Sequence, residues 1–193
     1  MTTTRATGPL AMLLALASTP VFAHAGAGPV DGFMSGLMHP LTGLDHVLAM
    51  VAVGLWAGLV GGKARISYPA AFVGAMALAG VWGMSGGELA GAETGIAFSV
   101  IILGAAVALK ASPPLASGML ACGILAIFHG FAHGAELPKN ASGLAYAAGF
   151  ILATAALQLV GIVLAGVLAV RAPLVARVAG GGIALSGVAL LAG

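Results

Sequence analysis

The sequence predicts an all-α integral membrane protein, a bundle of six transmembrane helices behind a cleavable signal peptide. Three observations predict it. Of 193 residues, 61% are hydrophobic and 6% are charged, with a mean hydropathy of +1.13; a soluble domain carries roughly 25% charged residues. The apolar runs are long and do not alternate with period two, which excludes a membrane β-barrel and leaves helices, which satisfy their own backbone in lipid. Glycine is abundant, at 31 residues, and small residues let helices approach closely where lipid gives no hydrophobic drive to associate.

Residues 1–23 carry the pattern of a secretory signal peptide. Arg5 supplies the basic start, 10–17 is a short apolar run, and Val21, Phe22 and Ala23 form a small-x-small cleavage site. About eight strongly apolar residues before Pro20 are too few to cross a bilayer. Cleavage would leave His24 at the start of a single transmembrane domain, 24–193. There its amine and ring either chelate a metal together or form part of a loose polar tail.

Six spans follow, over 36–61, 67–84, 94–111, 115–137, 142–170 and 174–191. Pro40 is placed in the first turn of span one, where its missing N–H costs nothing. Lys63 and Arg65 close that span, and a glycine-rich link with Glu88 and Glu93 follows span two. Span three stops at Pro113 and Pro114; Pro138, Lys139 and Asn140 turn the chain after span four; Pro173 separates the last two. Trp56, Trp82 and Tyr68 read as interfacial anchors.

Charge placement sets the orientation. With the mature N-terminus outside, Lys63, Arg65, Lys110, Arg171 and Arg177 all fall on the cytoplasmic side, and Lys139 alone falls opposite, in keeping with the positive-inside rule. Asp31, Glu88, Glu93 and Glu136 lie on the outer side, which therefore attracts cations. Spans one to three and four to six have opposite orientation, the arrangement of a 3+3 inverted repeat. The single Cys122 excludes an internal disulfide or a cysteine-rich metal site. No basic patch supports nucleic-acid binding, and no P-loop pattern supports ATP hydrolysis.

Chemistry concentrates in two stretches. In span four, Phe128-His129-Gly130-Phe131-Ala132-His133-Gly134-Ala135-Glu136 places His129, His133 and Glu136 at i, i+4 and i+7, one face of a helix. In span one, His39-Pro40-Leu41-Thr42-Gly43-Leu44-Asp45-His46 places two histidines seven apart, two turns, and so again on one face. Both stretches fall in the outer half of the membrane. Imidazoles and carboxylates are costly in lipid and mark functional sites there. Neutral imidazole with one or two carboxylates suits nickel, cobalt, copper or zinc. Asp45, Thr42 and Glu136 are candidates to orient the rings. Gly43, Gly130 and Gly134 thin the helices for close packing or a local break. Met50 and Cys122 read as soft ligands or plain packing, and Thr154 and Gln158 as cavity lining or polar contacts between helices.

These residues resemble the HupE/UreJ family of bacterial nickel and cobalt permeases. Its first pattern, H-P-x-x-G-x-D-H, is matched in full at 39–46, and its second, F-H-G-x-A-H-G-x-E, at 128–136. The resemblance implies a multi-pass protein of the bacterial inner membrane, with no catalytic cofactor. It would take up Ni²⁺ or Co²⁺ as transported substrate and supply hydrogenase, urease or cobalamin synthesis. His39, Asp45, His46, His129, His133 and Glu136 would hold the metal, with His24 as a further candidate. Partners are then the metal ion and the lipid bilayer, with a homo-oligomer or metal-delivery proteins as further candidates. Two other readings use the same ligands: an intramembrane metal-dependent enzyme, and a non-transporting metal sensor or accessory subunit.

Overall fold

The computed structural model describes residues 29–137 and 141–192. The signal peptide, its cleavage site, His24 and the turn at 138–140 lie outside the described residues. Among those described there are seven helices and no strand: α1 (Pro29–Thr42), α2 (Leu44–Val60), α3 (Ala64–Met84), α4 (Ala92–Ala108), α5 (Leu115–Glu136), α6 (Ala141–Arg171) and α7 (Pro173–Ala192). Helices α3, α5, α6 and α7 are long and apolar enough to cross a membrane; α1 with α2 passes as a broken pair, and α4 is a shorter apolar helix of 17 residues.

The broken pair corrects the first span. The stretch 36–61 is not one helix: the chain bends by 81° between α1 and α2. Pro40 lies in the last turn of α1, not the first turn of a helix. Its ring cannot donate to the ladder, the Thr42 hydroxyl donates to the His39 carbonyl at 2.8 Å, and Gly43 is extended at φ −93°, ψ 119°. Helix α2 then restarts with Val47 N–H donating to Gly43 C=O at 3.1 Å.

Glycines set how the helices pair. A Cβ on Gly130 or Gly134 of α5 would strike the backbone of Met76 or Gly80 of α3, and one on Gly118 would strike the Tyr68 ring. Sequence number rises together along both helices, so α3 and α5 run parallel. The contacts of Gly54 with Gln158 and of Gly58 with Ile162 make α2 parallel to α6 in the same way. Gly104 meets Gly180 and Ala184 while Gly187 meets Ala97, so α4 and α7 are antiparallel. This is the small-residue packing expected of helices without a hydrophobic drive.

The two ends of the bundle differ in charge. At one end Lys110 lies among Leu59, Val60, Ala169 and Pro173, and Arg177 Nε donates to Ala108 C=O at 3.0 Å. At the other, Asp45, Glu93 and Thr94 lie beside Leu190 and Leu191. Only one of the three aromatic residues read as interfacial anchors is exposed, Trp82. Trp56 and Tyr68 are buried, their rings 4.8 Å apart, with Trp56 Nε1 donating to Ala111 C=O at 2.7 Å. Gly118 lets α5 close directly over the Tyr68 ring, which a Cβ there would strike. Cys122 and Met50 lie in the same hydrophobic core.

Candidate metal site

The second motif occupies the last two turns of α5, which is unbroken through Glu136. Its three donors rise along one face from the interior outward: His129 is fully buried, His133 is nearly so, and Glu136 is exposed. Gly130 and Gly134 lie beside these donors and are packing residues against α3. Of the two roles open to the glycines, these two serve close approach and Gly43 serves the break.

The first motif delivers its donors from two helices. His39 ends α1, and Asp45 and His46 begin α2. The bend between them brings the His39 and His46 rings to a centroid separation of 6.3 Å. His133 lies 4.6 Å from His39 and 4.4 Å from His46 by the same measure, and His129 lies 5.0 Å from His46. Four of the five histidines named from the sequence therefore form one cluster; the fifth, His24, lies outside the described residues. Phe150 packs against it, 4.6 Å from His133, and Tyr146 stands 5.7 Å from His39.

The cluster divides into two overlapping donor sets. His39, His133 and Glu136 each offer one ligand atom within 4.8 Å of the others. Deeper in, His133 Nε2 faces His46 Nε2, and the His129 ring follows. Asp45 belongs to this deeper set as an orienter: its Oδ1 accepts from His46 Nδ1 at 2.9 Å. That bond leaves His46 Nε2 with its lone pair directed at His133, the way a carboxylate usually orders a ligating imidazole. Among the described residues Thr42 makes no hydrogen bond to a ring; its hydroxyl donates to the His39 carbonyl.

Ser99 of α4 was not singled out from the sequence. Its hydroxyl donates to Ile96 C=O at 2.7 Å and lies 2.7 Å from His129 Nε2. A serine has one hydrogen to give, so the second bond is donated by the ring N–H. His129 is thereby held with Nδ1 unprotonated, and that atom is buried with no hydrogen-bond partner among the described residues. The only sequence signal was a hydroxyl in an apolar run; its partner lies thirty residues away on another helix.

The arrangement is a graded ladder of imidazoles capped by a carboxylate, at the acidic end of the bundle. Such a donor set suits a first-row divalent cation better than a hard cation needing oxygen alone. A family model described as HupE / UreJ protein matches residues 11–190. Protein HupE of Rhizobium leguminosarum bv. viciae is 48% identical over 182 residues, covering 93% of this chain and 95% of that one. No solved structure matches the chain.

Proposed function

The chain belongs to the HupE/UreJ family, and on that premise we propose that it is a permease carrying Ni²⁺ or Co²⁺ from the periplasm across the bacterial inner membrane. The observation that carries this reading is the convergence of His39, His46, His129 and His133, with Asp45 and Glu136, at the acidic end of the bundle. The metal so gathered would serve hydrogenase, urease or cobalamin synthesis.

In this reading α2 to α7 are the six crossings, and α1 packs against the first turns of α6 at the outer end. Helix α4, about 26 Å long at 1.5 Å per residue, spans most of a hydrocarbon core of about 30 Å. The parallel pairs α2/α6 and α3/α5 and the antiparallel pair α4/α7 suit alternating crossings, and they suit a 3+3 inverted repeat in which the first two pairs exchange. The basic end faces the cytoplasm. Hydrated metal reaches Glu136, His39 and His133 first, and loses water as it passes to His46 and His129. Asp45 and Ser99 hold those two rings with a lone pair free. Affinity must be high enough to select and low enough to release.

The test is ⁶³Ni²⁺ uptake by cells expressing the chain, with and without excess Co²⁺, beside His46→Ala expressed to the same level. Uptake above empty-vector cells that is lost in His46→Ala is the expected result, and competition by Co²⁺ assigns the second substrate. Accumulation equal to the empty vector overturns the permease reading.

A further inference from the structure

Inward of the histidine cluster, polar side chains continue along one stripe of α6. Tyr146, Phe150, Thr154 and Gln158 recur every four residues, so each lies beside the next on a stripe that winds slowly around the helix. Tyr146 and Phe150 close on the imidazoles. The next two turns are polar yet enclosed, Thr154 at 0% and Gln158 at 1% exposure. Thr154 Oγ1 meets the sulfur of Met76 on α3 at 3.9 Å. Neither Oε1 nor Nε2 of Gln158 has a hydrogen-bond partner among the described residues. Gly54 of α2 passes against the Gln158 backbone, so this position lies inside the bundle and not against lipid.

A buried amide with both atoms unpaired is destabilising, and leucine, of similar size, would remove that penalty. Nothing in the packing of the described residues uses the amide. We propose that Gln158, with Thr154 and Met76, forms a second and uncharged station for the divalent cation, inward of the histidine cluster. From Phe150 to Gln158 the helix advances about 12 Å, two turns toward the basic end. An amide oxygen, a hydroxyl and a thioether hold a nickel-class ion weakly, since none carries charge and thioether sulfur prefers softer metals. A weak site following a strong one lets the ion leave inward. This inference rests on the transport reading above.

The test uses the full chain. Gln158→Leu is compared with wild type and His46→Ala for ⁶³Ni²⁺ uptake in cells, and for Ni²⁺ binding and thermal melting after purification. Expected for Gln158→Leu are unchanged binding at the cluster, a melting temperature at or above wild type, and an initial uptake rate lower by roughly tenfold or more. Uptake at the wild-type rate overturns the second station and leaves the histidine site standing. Wild-type uptake no greater than that of His46→Ala overturns transport itself, and this station with it. If Gln158→Leu does not fold, Thr154→Val, which removes the hydroxyl at nearly constant shape, is judged by the same criteria.

Discussion

The two histidine motifs reach one cluster by different means. The second lies on a continuous helix, where spacing alone stacks His129, His133 and Glu136 on a face. The first straddles a break. On a straight helix His39 and His46 would be about 10 Å apart along the axis; the 81° bend at Gly43 brings their rings to 6.3 Å. Both motifs contain glycine, but for opposite purposes. Gly130 and Gly134 keep a helix regular while a neighbour presses on its backbone, and Gly43 ends one helix beside the side chains that begin the next. The same residue type therefore predicts opposite sensitivities in the two motifs.

The sharpest way to break the comparison is to add a side chain to each glycine. A Cβ at Gly134 falls on the backbone of Gly80, and backbone yields far less than a side chain. Gly134→Val should cost more than the 1–3 kcal/mol typical of overpacking, and monodisperse protein should be lost on size exclusion in detergent. At Gly43 the added Cβ would meet Asp45 Oδ1 at 2.8 Å and His46 Nδ1 at 2.9 Å, both of which can move. Gly43→Ala should fold normally and bind Ni²⁺ about tenfold more weakly, because the Asp45–His46 pair is displaced. Equal behaviour of the two variants would remove the distinction.

Removing a ring has the next largest effect. His133 belongs to both donor sets, so His133→Ala should abolish uptake and lower Ni²⁺ affinity by about 100-fold or more, with membrane insertion and melting nearly unchanged. Its effect should exceed that of His39→Ala or His129→Ala, each of which belongs to one set. Titration of purified variants with Ni²⁺ ranks them, and an equal loss in all three would mean a single site without the division.

Orienting groups come last. Asp45→Asn keeps the shape but removes the carboxylate that orders His46, and should weaken Ni²⁺ binding by about 10–100-fold. Ser99→Ala frees His129 Nε2 and should weaken it less, by about tenfold or below, while moving the ¹⁵N resonances of that ring toward a mixture of tautomers. Ser99→Thr, which keeps the hydroxyl, should restore the wild-type spectrum; unchanged resonances in Ser99→Ala would show that the serine does not set the tautomer.

Most of the helices were legible, because long apolar runs in lipid have few alternatives, and the starts and ends of α5, α6 and α7 fell close to Pro114, Pro138 and Pro173. The donors on α5 were legible because one helix obeys one period. The direction of the bend at Gly43 was not, since an extended glycine after a proline turn permits many exits. Nor was the burial of Tyr68, an amphipathic ring suited to a membrane surface until Gly118 draws α5 over it.

By itself the sequence determined that this chain is helical and apolar, that the basic residues between its spans, Lys139 apart, share one set of turns, and that four of its five imidazoles fall with Asp45 and Glu136 in two short motifs. Those follow from composition and from periods of a few residues. The tertiary structure decided which rings touch, that His39 and His46 meet across a bend, that Asp45 and Ser99 each hold a ring nitrogen, and that the polar stripe of α6 continues inward past the cluster. These depend on contacts between helices far apart in the chain, where a glycine backbone meets a backbone, and no local period encodes them.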